Sequence, residues 1–350
     1  MSKKFDVVIG NPPYQEEAQG GGTRDTPVYH LFMDAAYEVG KKVVLITPAR
    51  FLFNAGFTPK AWNEKMLADS HLAVPHYVPN SDDLFPGTTI NGGIAVTYWE
   101  EDHDGEPIGT FTSFPELNTI LHKVVESGST PLEQIGITSS RSYRYTDKLY
   151  EDHPKARALR PEGNAALVNT NTFEQFSFLY HENKPVDGEE YARVYGLAGR
   201  RRAYRWIRRD YLTGPEGFDK YKVMVPASRG HLGTLGSEPA LVVGEPLIGE
   251  PGVGTTQTFI TVGAFDDEST AEACLKYVKS KFARALLGLL KITQHNPAKA
   301  WKYVPLQDFT PASDIDWTKS IPEIDQQLYA KYGLEDDEIA FVEAQVKPME

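Results

Sequence analysis

The N-terminal third of the chain alternates apolar runs with stretches of helical periodicity. Phe5–Ile9 and Val43–Thr47 are continuous apolar runs, typical of strands buried on both faces of a sheet. Between them, after the start signal Thr26-Pro27 and before a stop at Gly40, apolar residues recur at helical spacing: Val28, Leu31, Phe32, Ala35 and Val39. A strand–helix–strand unit of this kind predicts parallel strands and an α/β fold.

The same pattern continues to about residue 125 and then fades. Thr58-Pro59 predicts the start of a helix that runs to about Leu67, and Ile94–Trp99 predicts a third strand. We therefore assign residues 1–125 to one domain. Residues 126–350, rich in Tyr, Arg, Gly and Pro, are expected to form a mixed α+β domain with a helical C-terminus.

Two helical signals stand out in the second domain. Ser269 and Glu272 form a capping-box pattern, and one long helix is expected from the apolar stripe that follows it: Leu275, Val278, Phe282, Leu286 and Leu289. Near the C-terminus, two short helices divided by Gly333 are expected.

Composition excludes several classes of protein. With 41% hydrophobic and 11% aromatic residues among 350, the chain can bury a sizeable core and is not disordered throughout. It has no apolar run of the roughly 18 residues that a membrane span needs. A single cysteine, Cys274, excludes intramolecular disulfides, and the histidines show no metal-binding spacing. We expect a cytoplasmic protein with neither membrane span nor metal.

Charge is distributed unevenly along the chain. The net charge is −12, yet Tyr191–Lys222 carries nine basic residues against three acids. An arginine cluster with interleaved aromatic residues lies in this segment: Arg200, Arg201, Arg202, Tyr204, Arg205, Trp206, Arg208 and Arg209. Arginine suits phosphates and aromatic rings suit bases, so we expect a DNA-contacting segment. The alternative is a solvated face paired with the acidic remainder. Lys291, Lys299 and Lys302, around Thr293-Gln294-His295, form a second candidate strip.

The tetrapeptide Asn11-Pro12-Pro13-Tyr14 follows directly on the first predicted strand. In open α/β sheets, ligands bind at this carboxyl end of the strands. Asn11 offers an amide oxygen, the prolines offer carbonyls with a stiff backbone, and Tyr14 offers a ring on which a base can stack. Two acceptors with a ring above them suit the amino group of a flipped adenine. The alternative is a tight Pro-Pro turn that merely ends the strand.

The string from Phe5 to Tyr14 resembles catalytic motif IV of DNA methyltransferases that methylate amino groups, in particular the adenine-specific enzymes of restriction–modification systems. Further stretches are similar to motifs V, VI and VIII: Val28–Ala36, Val43–Arg50, and Leu84–Thr88 with Gly92-Gly93-Ile94. The C-terminal half is similar to the target-recognition part of such enzymes at Val243–Pro246, Gly249–Gly252 and Tyr303–Phe309.

This resemblance implies methyl transfer from S-adenosylmethionine to the N6 amino group of a flipped adenine in double-stranded DNA. It implies that Asn11 and the Pro12 carbonyl hold the amine, that Pro13 shapes the loop and that Tyr14 stacks. Three further residues become candidates for the cofactor pocket: Asp6, Tyr29 and Phe32. Phe85 becomes a candidate for stacking on the base, with a core phenylalanine as the alternative reading.

The chain departs from the family pattern at motif I, the glycine-rich turn that binds S-adenosylmethionine. We find none upstream of motif IV, and both Gly20-Gly21-Gly22 and Gly249–Gly254 are interpreted as loops. The fold expected is a partial Rossmann-like methyltransferase sheet, from motif IV onward, completed by a second polypeptide or a homodimer. Two alternatives stay open: a catalytically incomplete DNA-binding subunit or remnant, and a methylase of glutamine side chains in proteins.

Overall fold

The computed structural model describes residues 4–16, 26–54, 57–88, 90, 92–159, 163–164, 166–228, 234–236, 238–291 and 295–350. By its internal contacts the chain divides into two compact units, Met1–Asn118 and Thr119–Glu350. The predicted loop Gly20-Gly21-Gly22 and the pair Thr293-Gln294 lie outside the described residues.

The described part of the first unit is an α/β structure. Its strands are β1 (Phe5–Gly10), β2 (Gln15–Glu16), β3 (Thr26–Pro27), β4 (Gly40–Pro48), β5 (Leu72–Val78) and β6 (Ile94–Glu100). Its helices are α1 (Tyr29–Val39) and α2 (Lys60–Leu67), with short 3-10 helices at Ala49–Phe53 and Ser81–Asp83. Helix α3 (Pro115–Glu126) spans the boundary between the units.

Four strands form the main sheet of the first unit, in the order β1-β4-β6-β5. Strands β1 and β4 pair in parallel, with Ile9 opposite Val44, which confirms the parallel strands predicted around α1. Strand β6 runs antiparallel to both of its neighbours, so β5 points the same way as β1 and β4. Strand β5 and the reversed direction of β6 were not predicted, because sequence periodicity carries no information about strand pairing.

The predicted apolar stripe of α1 is wrong in its phase. The helix faces the sheet with a different set of buried residues: Tyr29, Met33, Ala36 and Tyr37. Leu31 and Phe32 are instead exposed, because the face that meets Val43 and Leu45 of β4 is the one with the larger tyrosine and methionine side chains. Thr26-Pro27 also does not start the helix; it forms β3, and α1 begins two residues later.

The apolar run of β1 predicts a strand buried on both faces, but one face of β1 is exposed. It lies at the edge of the sheet, with β4 as its partner among the described strands. Phe5, Val7 and Ile9 alternate along one face and are 47%, 51% and 76% exposed. The opposite face carries Val8, which packs against the core of the unit. Strand β1 thus has more apolar side chains than the described residues bury.

The second unit holds the remaining strands and helices. Its strands are β7 (Ile137–Thr138), β8 (Arg144–Tyr145), β9 (Tyr191–Ala198), β10 (Arg201–Arg208), β11 (Leu212–Thr213), β12 (Tyr221–Pro226), β13 (Leu247–Gly249), β14 (Val253–Thr255) and β15 (Phe259–Phe265). Its helices are α4 (Asp147–Asp152), α5 (Thr172–Gln175), α6 (Glu268–Lys279), α7 (Lys281–Leu290), α8 (Ile321–Lys331) and α9 (Asp336–Gln345).

Three sheets organise the described strands of this unit, in the orders β10-β9-β14, β11-β8 and β13-β12-β15-β7. The glycine-rich stretch 249–254 is a turn between β13 and β14, and β15 follows rather than a helix, as predicted. Among the described residues of the chain, no helix is both long and apolar enough to cross a bilayer.

The long helix predicted after residue 269 is two helices. Helix α6 starts two residues earlier than the capping-box pattern indicates, because the Asp267 carboxylate accepts the Thr270 N–H at 2.8 Å and so takes the place of Ser269 as the cap. The chain breaks at Ser280, whose hydroxyl accepts the Ala283 N–H at 3.1 Å and caps α7. The two C-terminal helices α8 and α9 divide at Gly333, as predicted, where φ is +62°.

Candidate active site

The tetrapeptide Asn11–Tyr14 lies at the carboxyl end of β1, next to the end of its parallel partner β4. The backbone of Tyr14 is tied to the start of α1, because its carbonyl accepts the Val28 N–H at 3.1 Å. The two residues that follow pair with β3 in a short antiparallel ladder. The loop is thus held by a strand before it and by a helix start behind it.

A cleft of about 610 Å³ opens at this edge of the sheet. All four residues of the tetrapeptide line it, together with residues from other segments: Gln15, Pro27, Tyr29, Pro48, Arg50, Phe57, Thr88 and Ile90. Arg50 is the one charged side chain in this set, and no carboxylate is among these described lining residues. The cleft is of a size that suits a small planar ligand.

The Tyr14 ring is uncharged at neutral pH. Burial raises the pKa of Tyr14, and the nearby Asn11 side chain opposes that shift only in part. The hydroxyl makes no hydrogen bond of ordinary length with the described residues, although it is shielded from solvent. Asn11 itself is exposed, so its amide can meet a ligand in the cleft. The pair offers an aromatic face beside an acceptor oxygen.

Tyr29 closes the back of the cleft as part of an aromatic group. It is buried, and its ring lies 6.3 Å from both Phe51 and Trp62 between centroids. Burial raises its pKa to about 12, against the smaller lowering effects of a hydrogen bond with Thr58 and of the positive charge of Arg50. Tyr29 therefore contributes a neutral, rigid wall.

The loop between β5 and β6 contributes the far side of the cleft, and two glycines shape it. Gly93 has φ +77°, and a Cβ there would lie 2.4 Å from the Val78 carbonyl oxygen. Gly92 has φ +89°, and its Cβ would lie 3.1 Å from Cγ of Arg50. Both glycines lie in the stretch that is similar to motif VIII, and their conformation explains why side chains are excluded there.

Two aromatic residues differ in their placement around the cleft. Phe85, the predicted stacking residue, is half-buried and is not among the described residues that line the cleft. Phe57 lines it and is 63% exposed. Neither Phe57 nor Arg50 is predicted as a site residue: Arg50 is the last residue of the stretch similar to motif VI, and Phe57 follows it in a segment without a motif. The sequence signal that could have indicated them is their position after the second parallel strand, since ligands bind at the carboxyl ends of such strands.

Of the three predicted cofactor residues, only Tyr29 lines the cleft. Asp6 lies on β1 roughly 16 Å of extended chain before Asn11. Its carboxylate pairs with Lys41 at 2.8 Å on the surface, and this contact lowers the pKa of Asp6. Phe32 is exposed on α1 and is not among the cleft residues. The three candidates are therefore not brought together.

The predicted DNA-contacting segment forms β10 and the 3-10 helix Arg209–Tyr211 after it. Several of its arginines pair with carboxylates: Arg205 with Glu182 at 2.7 Å, Arg208 with Asp210 at 2.5 Å, and Arg209 with Asp219 at 3.0 Å. Exposed Arg202 packs over the Phe259 ring at 4.5 Å.

The aromatic residues of this segment are covered by cations of the chain itself. The guanidinium of Arg193 lies 5.1 Å from the Tyr204 ring and 5.5 Å from the Trp206 ring. Arg200 and Arg201 are exposed, and their side chains make no ion pair or hydrogen bond with the described residues. The eight predicted residues therefore do not form one continuous free surface.

Other candidate cations and ligands fall outside this picture. Lys291 was predicted to face the phosphates of a nucleic acid. In the structure it is buried, and its ammonium donates to the Val242 carbonyl. Burial lowers its pKa to about 8. Within the described ranges, no group of three or more His, Cys, Asp or Glu side chains is placed to hold a metal ion.

Two comparisons with known proteins each match part of the chain. Residues 1–85, about a quarter of it, match the family model described as Eco57I restriction-modification methylase. A protein of Mycoplasma pneumoniae named an uncharacterized adenine-specific methylase is 28% identical over 109 residues, which are 30% of this chain and 26% of that relative. The chain thus spans about a quarter of the length of the curated relative that it matches. The segment that carries the cleft and its tetrapeptide is similar to restriction–modification methylases.

Proposed function

We propose that this chain is the catalytic and target-recognition part of an adenine-specific DNA methyltransferase of a restriction–modification system. Residues 1–125 form the catalytic half and residues 126–350 recognise DNA. The carrying observation is the placement of Asn11–Tyr14 at the carboxyl end of a parallel strand, in a cleft that fits one base. The similarity of residues 1–85 to a restriction–modification methylase family supports the same proposal.

The tetrapeptide does its work by positioning. The Asn11 amide oxygen and the Pro12 carbonyl accept the two N–H bonds of the adenine N6 amine, which leaves the nitrogen lone pair free to attack a methyl group. Pro13 fixes the course of the loop, since its ring restricts φ. Tyr14 stacks on the base and keeps water from it.

Arg50 supplies the positive charge of the cleft. It follows β4 in the 3-10 helix Ala49–Phe53, beside the glycine turn at Gly92. A flipped nucleotide enters with its phosphates at the mouth of the pocket, and a guanidinium there suits a phosphate oxygen. Exposed Phe57 lies at the same cleft and suits the open face of the base.

The methyl donor of the proposed reaction is S-adenosylmethionine, but the described residues do not fit it. Its ribose hydroxyls call for an acceptor such as a carboxylate. No carboxylate is among the described residues that line the cleft, and the Asp6 carboxylate is held on the surface by Lys41. No step through the donor follows from these residues. We place its binding site on a further polypeptide segment that pairs with the free edge of β1.

The alternative of a catalytically incomplete DNA-binding subunit or remnant draws on this same absence of a carboxylate from the described cleft. Such a protein would keep the DNA-binding unit and would not support methylation with any partner. The two proposals differ in one observable product, which is methylated adenine.

Methylation in a host without DNA methyltransferases of its own tests the proposal. The gene is expressed together with its neighbouring reading frames, and native DNA is sequenced for modified bases. We expect N6-methyladenine at one recurrent sequence, lost in Asn11→Ala. Modified cytosine, methylated glutamine in proteins without modified DNA, or modification that persists in Asn11→Ala would contradict it.

A further inference from the structure

The β9–β10 hairpin projects the strongest local charge of the chain. Its strands pair antiparallel along their whole length, from Tyr191 opposite Arg208 to Ala198 opposite Arg201. The two-residue turn is Gly199-Arg200, and Gly199 has φ +61°, as a type II′ turn requires at its first position. The Gly199 N–H donates to the Glu174 carboxylate at 2.8 Å, which fixes the direction of the tip.

The arginines of this hairpin form ion pairs along its strands, whereas those at its tip form none with the described residues. Six arginines and no acidic residue lie from Tyr191 to Arg208 inclusive. Arg193, Arg205 and Arg208 each form an ion pair with a carboxylate from outside the hairpin strands. At the tip, residues 199–202 are exposed, and the side chains of Arg200 and Arg201 have no ion-pair or hydrogen-bond partner among the described residues, while the Glu174 carboxylate accepts from the backbone of Gly199.

The aromatic residues of the hairpin pack against other side chains of the chain and so stiffen the hairpin, which leaves their faces less available for stacking on bases. Tyr204 lies against Tyr195 across the strand pair, with 4.7 Å between ring centroids. The guanidinium of Arg193 covers Tyr204 and Trp206, and Lys184 lies 5.7 Å from the Trp206 ring. Such a ladder of cross-strand contacts makes a rigid ribbon with a fixed twist.

We propose that the tip of the β9–β10 hairpin is the element that contacts duplex DNA, with Arg200 and Arg201 bound to backbone phosphates. The remaining arginines of the predicted cluster are structural. This inference rests on the proposed function and narrows it to one element. A two-stranded ribbon fits the major groove of B-form DNA, and guanidinium forks match phosphate oxygens.

The proposal commits to DNA on grounds of charge. The chain as a whole carries −12, so two adjacent arginines on a rigid ribbon, whose side chains form no ion pair with the described residues, are a local exception. Each phosphate that an arginine neutralises releases counterions and steepens the dependence of binding on salt by roughly one unit of slope. The slope of log binding constant against log salt concentration therefore measures the number of phosphate contacts.

Equilibrium binding of the full chain to labelled duplex DNA tests the proposal. Fluorescence anisotropy over 50 to 300 mM salt is measured for the wild type, the double variant Arg200→Gln/Arg201→Gln, and Arg205→Gln as the matched control. We expect the double variant to bind roughly tenfold or more weakly, with a salt slope lower by about two and an unchanged Tm. The control should bind within about twofold of the wild type and melt at a lower temperature.

Two results would overturn the inference. One is a double variant that keeps wild-type affinity and slope, and the other is a loss of affinity in Arg205→Gln as large as the loss in the double variant. Either result leaves the proposed function intact if the wild type still binds DNA and Asn11-dependent adenine methylation is found. A wild-type chain that does not bind duplex DNA at any salt concentration overturns the inference and the DNA substrate together.

Discussion

Tyr14 combines three properties that suit a stacking role. Its ring lines the cleft, its backbone carbonyl is anchored to the start of α1, and burial keeps its hydroxyl protonated by raising its pKa. An uncharged ring stacks on a base without desolvating a phenolate. The ring, and not the acidity of the hydroxyl, is therefore the functional part of the side chain.

Replacing Tyr14 tests this division. Tyr14→Ala should lower kcat/KM for methyl transfer by roughly 10- to 100-fold, because base–aromatic stacking contributes about 1–3 kcal/mol. Tyr14→Phe keeps the ring and should stay within about threefold of the wild type. Its rate between pH 7 and 9 should follow the wild-type profile. Steady-state kinetics of both variants provide the measurement, and a Phe variant as impaired as the Ala variant would assign the effect to the hydroxyl.

At the scale of residues, the sequence predicts site residues that are contiguous in the chain and misses those that the fold brings together from separate segments. Asn11–Tyr14 carries its chemistry in four successive residues after one strand, so the strand assignment alone placed it at a sheet edge. Phe57 and Arg50 come to the cleft from a separate segment. Asp6 lies on β1, the strand that precedes the motif. Because the strand is extended, Asp6 lies too far along it to reach the cleft.

Strand β12 is fastened to its surroundings through one buried lysine. The ammonium of Lys222 donates to the carbonyls of Phe218 at 2.7 Å, Lys220 at 2.9 Å and Glu250 at 3.2 Å. It therefore joins the strand to the 3-10 helix Glu216–Asp219 and to the turn before β14. Burial lowers the pKa of Lys222 to about 8, so its charge is carried at a cost at neutral pH.

Stability should consequently depend on pH through Lys222. Below pH 8 the lysine is protonated in both states. Between pH 8 and about 10.5 the unfolded chain keeps the proton while the folded chain loses it, so the free energy of unfolding rises with pH. Relative to Lys222→Met, the wild type should gain up to about 3 kcal/mol over this range. Urea unfolding at pH 7.5, 9 and 10 measures it, and a constant difference between the two proteins would contradict the assignment.

Helices α6 and α7 show why element boundaries resist prediction. The apolar stripe continues through both, so periodicity alone favours one helix. The break depends on Asp325 of α8, far along the chain, whose carboxylate accepts the N–H groups of Lys281 at 3.0 Å and Phe282 at 2.9 Å. Ser280 supplies a local cap, but it lies inside the continuous apolar stripe, and the Asp325 carboxylate from 44 residues away leaves no local sequence signal.

At the scale of the whole molecule, the described part of the chain exposes apolar side chains at one edge of the first unit's sheet. Phe5, Val7 and Ile9 of β1 are exposed on the face opposite Val8. A parallel strand with an apolar face, and with no second partner among the described strands, is a site for pairing with another segment. This exposure supports the proposed further segment, whether it comes from a second polypeptide or from a second copy of the chain.

Charge placed on that edge should change association and not folding. Ile9→Lys should keep Tm within about 2 °C of the wild type, since the side chain is 76% exposed, while self-association falls. Val8→Lys is the matched control: Val8 packs against the core from the opposite face and should lower Tm by several degrees. Thermal denaturation and light scattering provide both readings. A large loss of Tm in Ile9→Lys would show that the chain itself covers this edge.

A methyl-transfer assay tests whether Asn11 holds the amine of a target adenine. Labelled methyl from S-adenosylmethionine is offered to unmethylated duplex DNA with the purified chain, alone and with the polypeptide encoded beside it, and the product nucleosides are identified by mass spectrometry. We expect N6-methyladenine in the presence of the second polypeptide, reduced at least roughly 100-fold in Asn11→Ala at unchanged Tm. Equal incorporation by Asn11→Ala, or label on cytosine, would contradict it.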